Sequence, residues 1–185
     1  AGAGSALRFG TNSATLSSVT GPGNDGINVG PGSTATISNA TITGWTNRPD
    51  HSHDGGQVTI NGNSGPVDIH GNFTGVTAEN EGGLTMFSQS NAIAVHDNTD
   101  AGIEITIGMG HLEGHGGNFT VDGNGGDGIA INAGLAQISG VNVRNNGGRG
   151  VALDFRSTAA FGNPDTMADG VTESINAHRR HRSGS

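Results

Sequence analysis

Histidine and glutamate alternate in one short segment of the chain, His111-Leu-Glu-Gly-His115. In an extended strand, residues two apart project to the same side, so His111, Glu113 and His115 would lie together. Two imidazoles and a carboxylate are ligands that suit zinc or another divalent transition metal. The flanking glycines favour a flexible loop instead, and the sequence supplies no fourth ligand. The segment is therefore a candidate metal site with a plain loop as its alternative.

Two longer segments, residues 45–56 and 72–82, mix histidine, arginine and acidic side chains with the only tryptophan. If the two segments lie side by side, this group of side chains could bind a sugar, a cation or a protein. The candidate binding residues are Trp45, Arg48, His51, His53, Asp54, Glu79 and Glu81. The alternative interpretation is a solvated polar loop without a ligand.

A third set of candidates shares one position in a repeated pattern. These residues are His70, His96, Asp122 and Arg144, and we expect them to form one surface column. His70 and His96 would lie one repeat apart, near enough to exchange a proton or to interact with Asp122. General acid–base chemistry needs such a pair in a cleft, so a solvated stripe of charges on a flat face is the alternative.

The element that must position these side chains is a short repeat: apolar, any residue, apolar, two further residues, then asparagine. Clear copies occupy residues 67–72, 93–98, 119–124 and 141–146, and degenerate copies occupy 17–22 and 40–45. The second apolar residue of each copy recurs after 23, 27, 26, 26 and 22 residues, at Val19, Ile42, Ile69, Val95, Val121 and Val143. A period in this range is typical of a solenoid, in which each coil buries its apolar face only against neighbouring coils.

A second strand follows each copy. In four repeats it begins seven residues after the anchor, at positions 26, 102, 128 and 150. In the other two repeats the pattern places it at 57 and 83, which predicts insertions at residues 45–56 and 72–82. Both strands alternate apolar and polar residues, as strands with one buried face do.

The repeated asparagines recur at one point of the turn. We expect Asn72, Asn98, Asn124 and Asn146 to stack into a structural ladder, since buried amides are satisfied by their neighbours. Asparagine also tolerates the left-handed backbone that a sharp turn needs.

The stretch Val141-Asn-Val-Arg-Asn-Asn-Gly-Gly-Arg-Gly-Val-Ala-Leu153 resembles a coil of the right-handed parallel β-helix superfamily, which includes pectate lyases, alginate epimerases, phage tailspikes and autotransporter passengers. The expected fold is an all-β, right-handed, single-stranded parallel β-helix of about six or seven coils over residues 14–155. Residues 1–13 would lead in, and residues 156–185 would form a cap or tail, helical over 165–180. An antiparallel β-sandwich is the alternative, but it does not predict the constant seven-residue offset.

The catalytic residues of this superfamily cannot be assigned to positions in this chain. Lyases of this superfamily typically pair calcium with a lysine or arginine base, and alginate epimerases use tyrosine and histidine. The chain has no tyrosine and no lysine, so only arginines such as Arg144, Arg149 and Arg156 remain as candidate bases. We therefore interpret the chain as a non-catalytic module that offers a rigid scaffold and a binding face. The alternative function is a compact polysaccharide-active enzyme, a lyase or epimerase.

Composition limits the partners. A net charge of −8 repels phosphate backbones, so we expect no nucleic acid. No apolar run reaches the length of a membrane span. The absence of cysteine and lysine, with abundant glycine, asparagine and threonine, suggests a secreted or cell-surface protein of a bacterium or phage. A polysaccharide or a host or neighbouring protein is the expected partner. We expect no cofactor. The divalent cations considered are zinc at 111–115 and calcium at 123–128, which is one imperfect copy of a calcium-binding repeat.

Overall fold

The chain folds into a parallel β-solenoid, shown by a computed structural model that describes residues 7–9, 15–20, 25–46 and 48–162. Every strand pairing in the described residues is parallel, so the antiparallel sandwich is wrong. The one helical segment among them is a single 3-10 turn, Gly62–Ser64. No helix in this part of the chain is long and apolar enough to cross a membrane.

The strands stack in three rows, which we call faces A, B and C. Face A consists of β1 (Leu7–Phe9), β3 (Asp25–Val29), β5 (Arg48–Ser52), β8 (Val76–Glu79), β11 (Ile103–Thr106), β14 (Ile129–Asn132) and β17 (Val151–Asp154). Face B consists of β6 (Gln57–Asn61), β9 (Gly83–Ser88), β12 (Met109–Gly114), β15 (Leu135–Ser139) and β18 (Thr158–Phe161). Face C consists of β7 (Val67–His70), β10 (Ile93–His96), β13 (Phe119–Asp122) and β16 (Val141–Arg144).

Two further strands belong to both B and C. Strand β4 (Thr34–Thr43) pairs with β6 through residues 34–37 and with β7 through residues 40–43. It turns between the faces at Asn39, whose φ is +49°. Strand β2 (Thr15–Thr20) pairs with β4 on the other side, with a register shift between Leu16 and Ser18. Along the chain, each coil therefore passes through face A, then face B, then face C.

The core lies between the three faces and is filled by one side chain from every second strand position. Strands β7, β10, β11 and β13 each alternate a buried with a half-buried residue. Their inward side chains stack on identical or similar ones in the next coil, as Ile103 does on Ile129 and Ile105 on Ile131. Because only every second residue must be apolar, a chain that is 31% hydrophobic is sufficient to fill this narrow interior.

The described chain completes about five turns, fewer than the six or seven predicted. Five steps along face A lead from β3 to β17, while the strands before β3 and after β17 belong to incomplete coils. Strands β1 and β18 lie outside residues 14–155, so the described solenoid runs from Leu7 to Phe161. The expected helix at 165–180 lies outside the described residues.

The prediction of one shared second strand is wrong for two coils. Strands β6 and β9, at the positions 57 and 83, belong to face B and not to face A. The face A strands of those coils are β5 and β8, which lie inside the segments taken for insertions. Strand β5 has the polar sequence Arg-Pro-Asp-His-Ser, so it lacks the alternation of apolar and polar residues that identifies a strand. Its proline also argues against a central strand.

The asparagine ladder is confirmed, at the corner that joins face C to face A. The Nδ2 of Asn72 donates to Oδ1 of Asn98 at 3.1 Å, that of Asn98 to Asn124 at 2.8 Å, and that of Asn124 to Asn146 at 2.9 Å. Each Nδ2 also donates to a strand carbonyl of the coil before it, for Asn98 the carbonyl of Ile69 at 3.3 Å. The first three amides are at most 2% exposed, so the ladder satisfies groups that water cannot reach.

Candidate functional site

Face C carries two parallel columns of outward side chains, all polar except Ala94, because its strands pair in one unbroken register. One column runs through Thr43, His70, His96, Asp122 and Arg144. The other, two residues earlier in each strand, runs through Thr41, Asp68, Ala94, Thr120 and Asn142. The predicted surface column of His70, His96, Asp122 and Arg144 therefore does form, with neighbouring members one coil, about 4.8 Å, apart.

The two histidines of this column stack on each other. The ring centroids of His70 and His96 are 5.2 Å apart and the ring planes differ by 14°. The Nε2 of His96 lies 2.8 Å from Oδ1 of Asp68, and the Nε2 of His70 lies 3.8 Å from Oδ2 of the same carboxylate. Asp68 thus lies beside the stacked rings and is hydrogen-bonded to His96, while the nitrogen of His70 is farther away.

A second carboxylate fixes the other side of the His96 ring. The Nδ1 of His96 lies 2.8 Å from Oδ2 of Asp97, which begins the turn after the strand with a φ of +51°. Burial lowers the pKa of His96, but hydrogen bonds and charge from Asp97 and Asp68 outweigh this and raise the pKa above 6.5. The two carboxylates therefore stabilise the protonated form of His96 relative to that of an ordinary histidine.

The same column continues with an ion pair in the C-terminal coils. Arg144 Nε donates to Asp122 Oδ2 at 2.9 Å, and the Asn145 amide donates to Asp122 Oδ1 at 3.0 Å. Face C therefore presents two imidazoles with the Asp68 carboxylate at one end and the Asp122–Arg144 ion pair at the other. Its ionised side chains are arranged in mutual pairs, leaving Thr120 and Asn142 as neutral hydrogen-bonding groups between them.

The segments 45–56 and 72–82 do lie against each other, but as strands rather than as inserted loops. His51 pairs with Thr77 and Ser52 with Ala78 in the β5–β8 ladder. Trp45 is only 3% exposed, and its indole N–H has no partner among the described residues. The tryptophan therefore belongs to the core and offers no exposed ring to a ligand.

The remaining members of that set are spread over face A and its corner with face B. His53 Nδ1 lies 2.9 Å from Asp54 Oδ2, in the turn after β5. Glu79 is half-buried at the end of β8, and Glu81 is exposed with a φ of +67°. Arg48 and His51 are placed by their backbone in β5, and their side chains lie outside the described part of the structure.

The His111, Glu113 and His115 side chains meet on face B as the alternation predicts. Glu113 accepts from Nε2 of His111 at 3.2 Å and from Nε2 of His115 at 2.8 Å. Bonding to His111 and then His115 lowers the pKa of Glu113, although partial burial opposes the shift. Each imidazole directs its Nε2 at the carboxylate, so Glu113 is bonded to both histidines. Among the described residues no group of three such side chains is arranged to hold a metal ion.

One ion-pair cluster, which lies near the corner that joins face C to face A, was not predicted from the sequence. Arg149 donates to Asp127 Oδ2 at 3.0 Å and to Asp154 Oδ2 at 2.9 Å. Bonding to Asp154, then to Asp127, raises the pKa of Arg149 and keeps the guanidinium charged. Asp127 and Arg149 each precede the glycine that opens a face A strand, so alignment of the coils could have found this pair.

Comparison with known proteins adds no relative. No protein-family model matches the chain. No curated protein matches it by sequence, and no solved structure matches it. What can be said of its function therefore depends on its own side chains.

Proposed function

We propose that the protein is a non-catalytic module of a secreted or surface protein, built like the right-handed pectate-lyase-like β-helices, whose face C binds a glycan. The observation that carries this proposal is the pair of parallel columns on face C. Threonine, asparagine, aspartate, histidine and arginine side chains recur there at a fixed spacing of about 4.8 Å. Such rows of donors and acceptors suit a polymer whose hydroxyl groups also recur at a regular interval.

The state of the charged groups favours binding over catalysis. Of the three candidate bases, Arg144 and Arg149 are in ion pairs with aspartate, and Arg156 is exposed. The raised pKa of Arg149 makes loss of its proton harder, which is the opposite of what a lyase base needs. Glu113, with a lowered pKa, is a poor proton donor. These groups are stabilised as ions rather than poised to transfer protons.

The test is retention of the purified protein on neutral and acidic polysaccharides, with the chain length of each polymer measured afterwards. A double variant, Thr120→Ala with Asn142→Ala, removes neutral hydrogen-bonding groups from face C without breaking an ion pair. We expect it to weaken retention about tenfold, as the loss of one or two hydrogen bonds does. The matched control, Thr85→Ala with Gln137→Ala, changes outward residues of face B and should retain full binding.

Two outcomes would contradict the proposal. Equal losses in both double variants would move the binding site away from face C. No retention on any polymer would exclude a glycan and leave a protein as the partner. Either result is interpretable because all four substitutions lie at half-buried outward positions that the core does not depend on.

One observation favours the alternative of a polysaccharide-active enzyme. His96, held by Asp68 and Asp97, has the two-sided support that orients an imidazole for proton transfer. If this alternative is correct, the same assay shows shortened polymers with the unmodified protein. His96→Gln would then abolish the shortening while leaving retention in place.

A further inference from the structure

The corner between faces A and B exposes a set of large apolar side chains. We call this set the apolar edge, and its members are Ile107, Met109, Leu135 and Phe155, which are 54%, 55%, 55% and 84% exposed. The other large apolar side chains exposed in the described part of the chain are Phe73, Leu153 and Phe161, at 43%, 46% and 38%. The apolar edge therefore gathers the four most exposed large apolar side chains of this part of the solenoid.

The members of the apolar edge lie in three consecutive coils. Met109 pairs with Leu135 in the β12–β15 ladder. Ile107 follows Thr106, which pairs with Asn132, and Phe155 follows Asp154, which pairs with Asn132 as well. With neighbouring coils about 4.8 Å apart, these side chains form one stripe along the solenoid axis. Its exposed area is on the order of 400 Å², within the range of the largest apolar patch of a typical monomer, which is often functional.

The backbone at this edge is unfavourable for the residue it carries. Ile107 has a φ of +52°, in the left-handed region that β-branched residues rarely adopt. Glycine or asparagine would occupy this position at lower cost, as Asn80 does one coil earlier with a φ of +48°. The Ile107 side chain is more than half exposed, so core packing does not compensate the strain, and a contact outside the chain would.

Opposite charges stand at the two ends of the apolar edge. Glu81 follows Asn80 and Arg156 follows Phe155, and both side chains are exposed. The structure gives neither of them an ion-pair partner among the residues that it describes. The two coils between them are one residue shorter at this corner, where Ile107-Gly108 and Ala133-Gly134 carry no charge. Glu81 and Arg156 are three coils, roughly 14 Å, apart.

We propose that the apolar edge is the interface of a two-fold symmetric dimer in which two copies of this chain lie antiparallel. A two-fold axis between the coils of Ile107 and Leu135 places the apolar centre of one edge on that of the other. The same rotation brings Glu81 of each copy opposite Arg156 of the second copy. Such an interface is self-complementary, as the symmetry of a dimer requires.

The experiment measures the mass of the full chain by sedimentation velocity from micromolar to millimolar concentration. We expect a concentration-dependent dimer. Glu81→Arg and Arg156→Glu each place like charges opposite each other and should weaken dimerisation about tenfold, equivalent to about 1.4 kcal/mol. The double variant with both changes should restore the original dissociation constant. Within one chain the two positions are too far apart for a direct contact, so rescue requires the antiparallel arrangement.

A second variant separates the interface from fold stability. Ile107→Asn relieves the left-handed strain and removes the apolar contact, so it should raise the melting temperature of the monomer and weaken the dimer at least tenfold. A chain that stays monomeric throughout the concentration range overturns the proposal. If peroxide then leaves Met109 unoxidised in that monomer, another part of the chain covers the edge. A dimer that tolerates both single charge reversals overturns the antiparallel arrangement.

Discussion

At the scale of single residues, the side chain with the most defined chemistry is His96. Its two ring nitrogens lie 2.8 Å from the carboxylates of Asp68 and Asp97, and its ring stacks on that of His70. Partial burial alone would lower its pKa. The pKa is nevertheless raised above 6.5 because both carboxylates bind the protonated form.

The raised pKa predicts the direction in which pH changes stability. The folded state binds the His96 proton more tightly than the unfolded chain, whose histidines titrate near pH 6.5. The stabilisation is therefore complete below about pH 6.5 and is lost as the pH rises through the folded-state pKa. We expect His96→Gln to lower the free energy of unfolding more at about pH 5 than at about pH 9, which lie below and above the usual histidine pKa.

Urea unfolding at a series of pH values checks this prediction, and an NMR titration of the His96 ring gives the pKa directly. Asp97→Asn serves as the control, because it removes one of the two carboxylates and should bring the pKa of His96 down. A pH-independent difference between wild type and His96→Gln would show that the two carboxylates do not act on the proton.

At the scale of the elements, the corners between strands allow little variation where two coils touch through their backbones. Gly140, between β15 and β16, has a φ of +60°, and a Cβ there would overlap the carbonyl of Gly114 in the coil before. Gly116 has nearly the same φ of +61°, but nothing lies within 4 Å of the place where its Cβ would be. The two glycines share a backbone conformation and differ in their surroundings.

Alanine substitutions at these two corners should therefore differ in cost. Gly116→Ala should lower the free energy of unfolding by about 1–2 kcal/mol, the penalty for a side chain in the left-handed region. Gly140→Ala adds a collision with a backbone atom that cannot rotate away, and should cost more than about 4 kcal/mol. Urea unfolding of the two variants measures the difference. Equal costs would mean that adjacent coils separate easily at this corner.

The elements also show where sequence reasoning was sufficient. The four clear copies of the repeat became β7, β10, β13 and β16, because alternating apolar residues have only one way to face a common core. Strand β5 was missed since its side chains are polar and it contains Pro49, so its place is set by pairing with β3 and β8 rather than by its own pattern. Face B was also not separated from face A in the sequence analysis, because the strands of both faces begin after a turn and resemble each other in local sequence.

At the scale of the whole molecule, the asparagine ladder connects four coils with amides that all donate in one direction. The Oδ1 of Asn98 accepts from both the backbone N and the Nδ2 of Asn72, at 3.1 Å each. Removing Asn98 therefore leaves the buried backbone N–H of Asn72 without a partner, while the Nδ2 of Asn72 keeps only its bond to the carbonyl of Ile42. Asn146 is the last described member and is only half-buried, so water can replace part of what its loss removes.

The position in the ladder thus predicts the cost of a substitution. Asn98→Leu should lower the free energy of unfolding by at least about 1–3 kcal/mol, the cost of an unsatisfied buried polar group. Asn146→Leu should cost less, because its partners lie nearer to solvent. Thermal and urea unfolding give both values. A neutral Asn98→Leu would show that the ladder contributes nothing to stability.

The fold of the molecule could be predicted from the sequence more completely than the contacts between its surface side chains. The repeat indicated the solenoid and the ladder because both follow from what each coil must bury. The surface columns also followed, since register fixes which residues share a row. The interactions within those columns did not follow from the sequence: whether Asp68 bonds His70 or His96 depends on rotamers and distances that spacing does not determine. The count of coils was too high because the incomplete coils at the ends resemble complete ones in sequence.

The ladder has a consequence for how the length of this protein can change. Within the ladder each amide accepts from the coil before it and donates to the coil after it, so the three boundaries between its four coils offer the same groups on each side. A duplication or deletion that spans one full coil rejoins matching surfaces and leaves the neighbouring coils as they were. An insertion of a few residues inside a strand instead turns the following side chains to the wrong face. Whole coils, rather than single residues, are the units by which this molecule can grow or shrink.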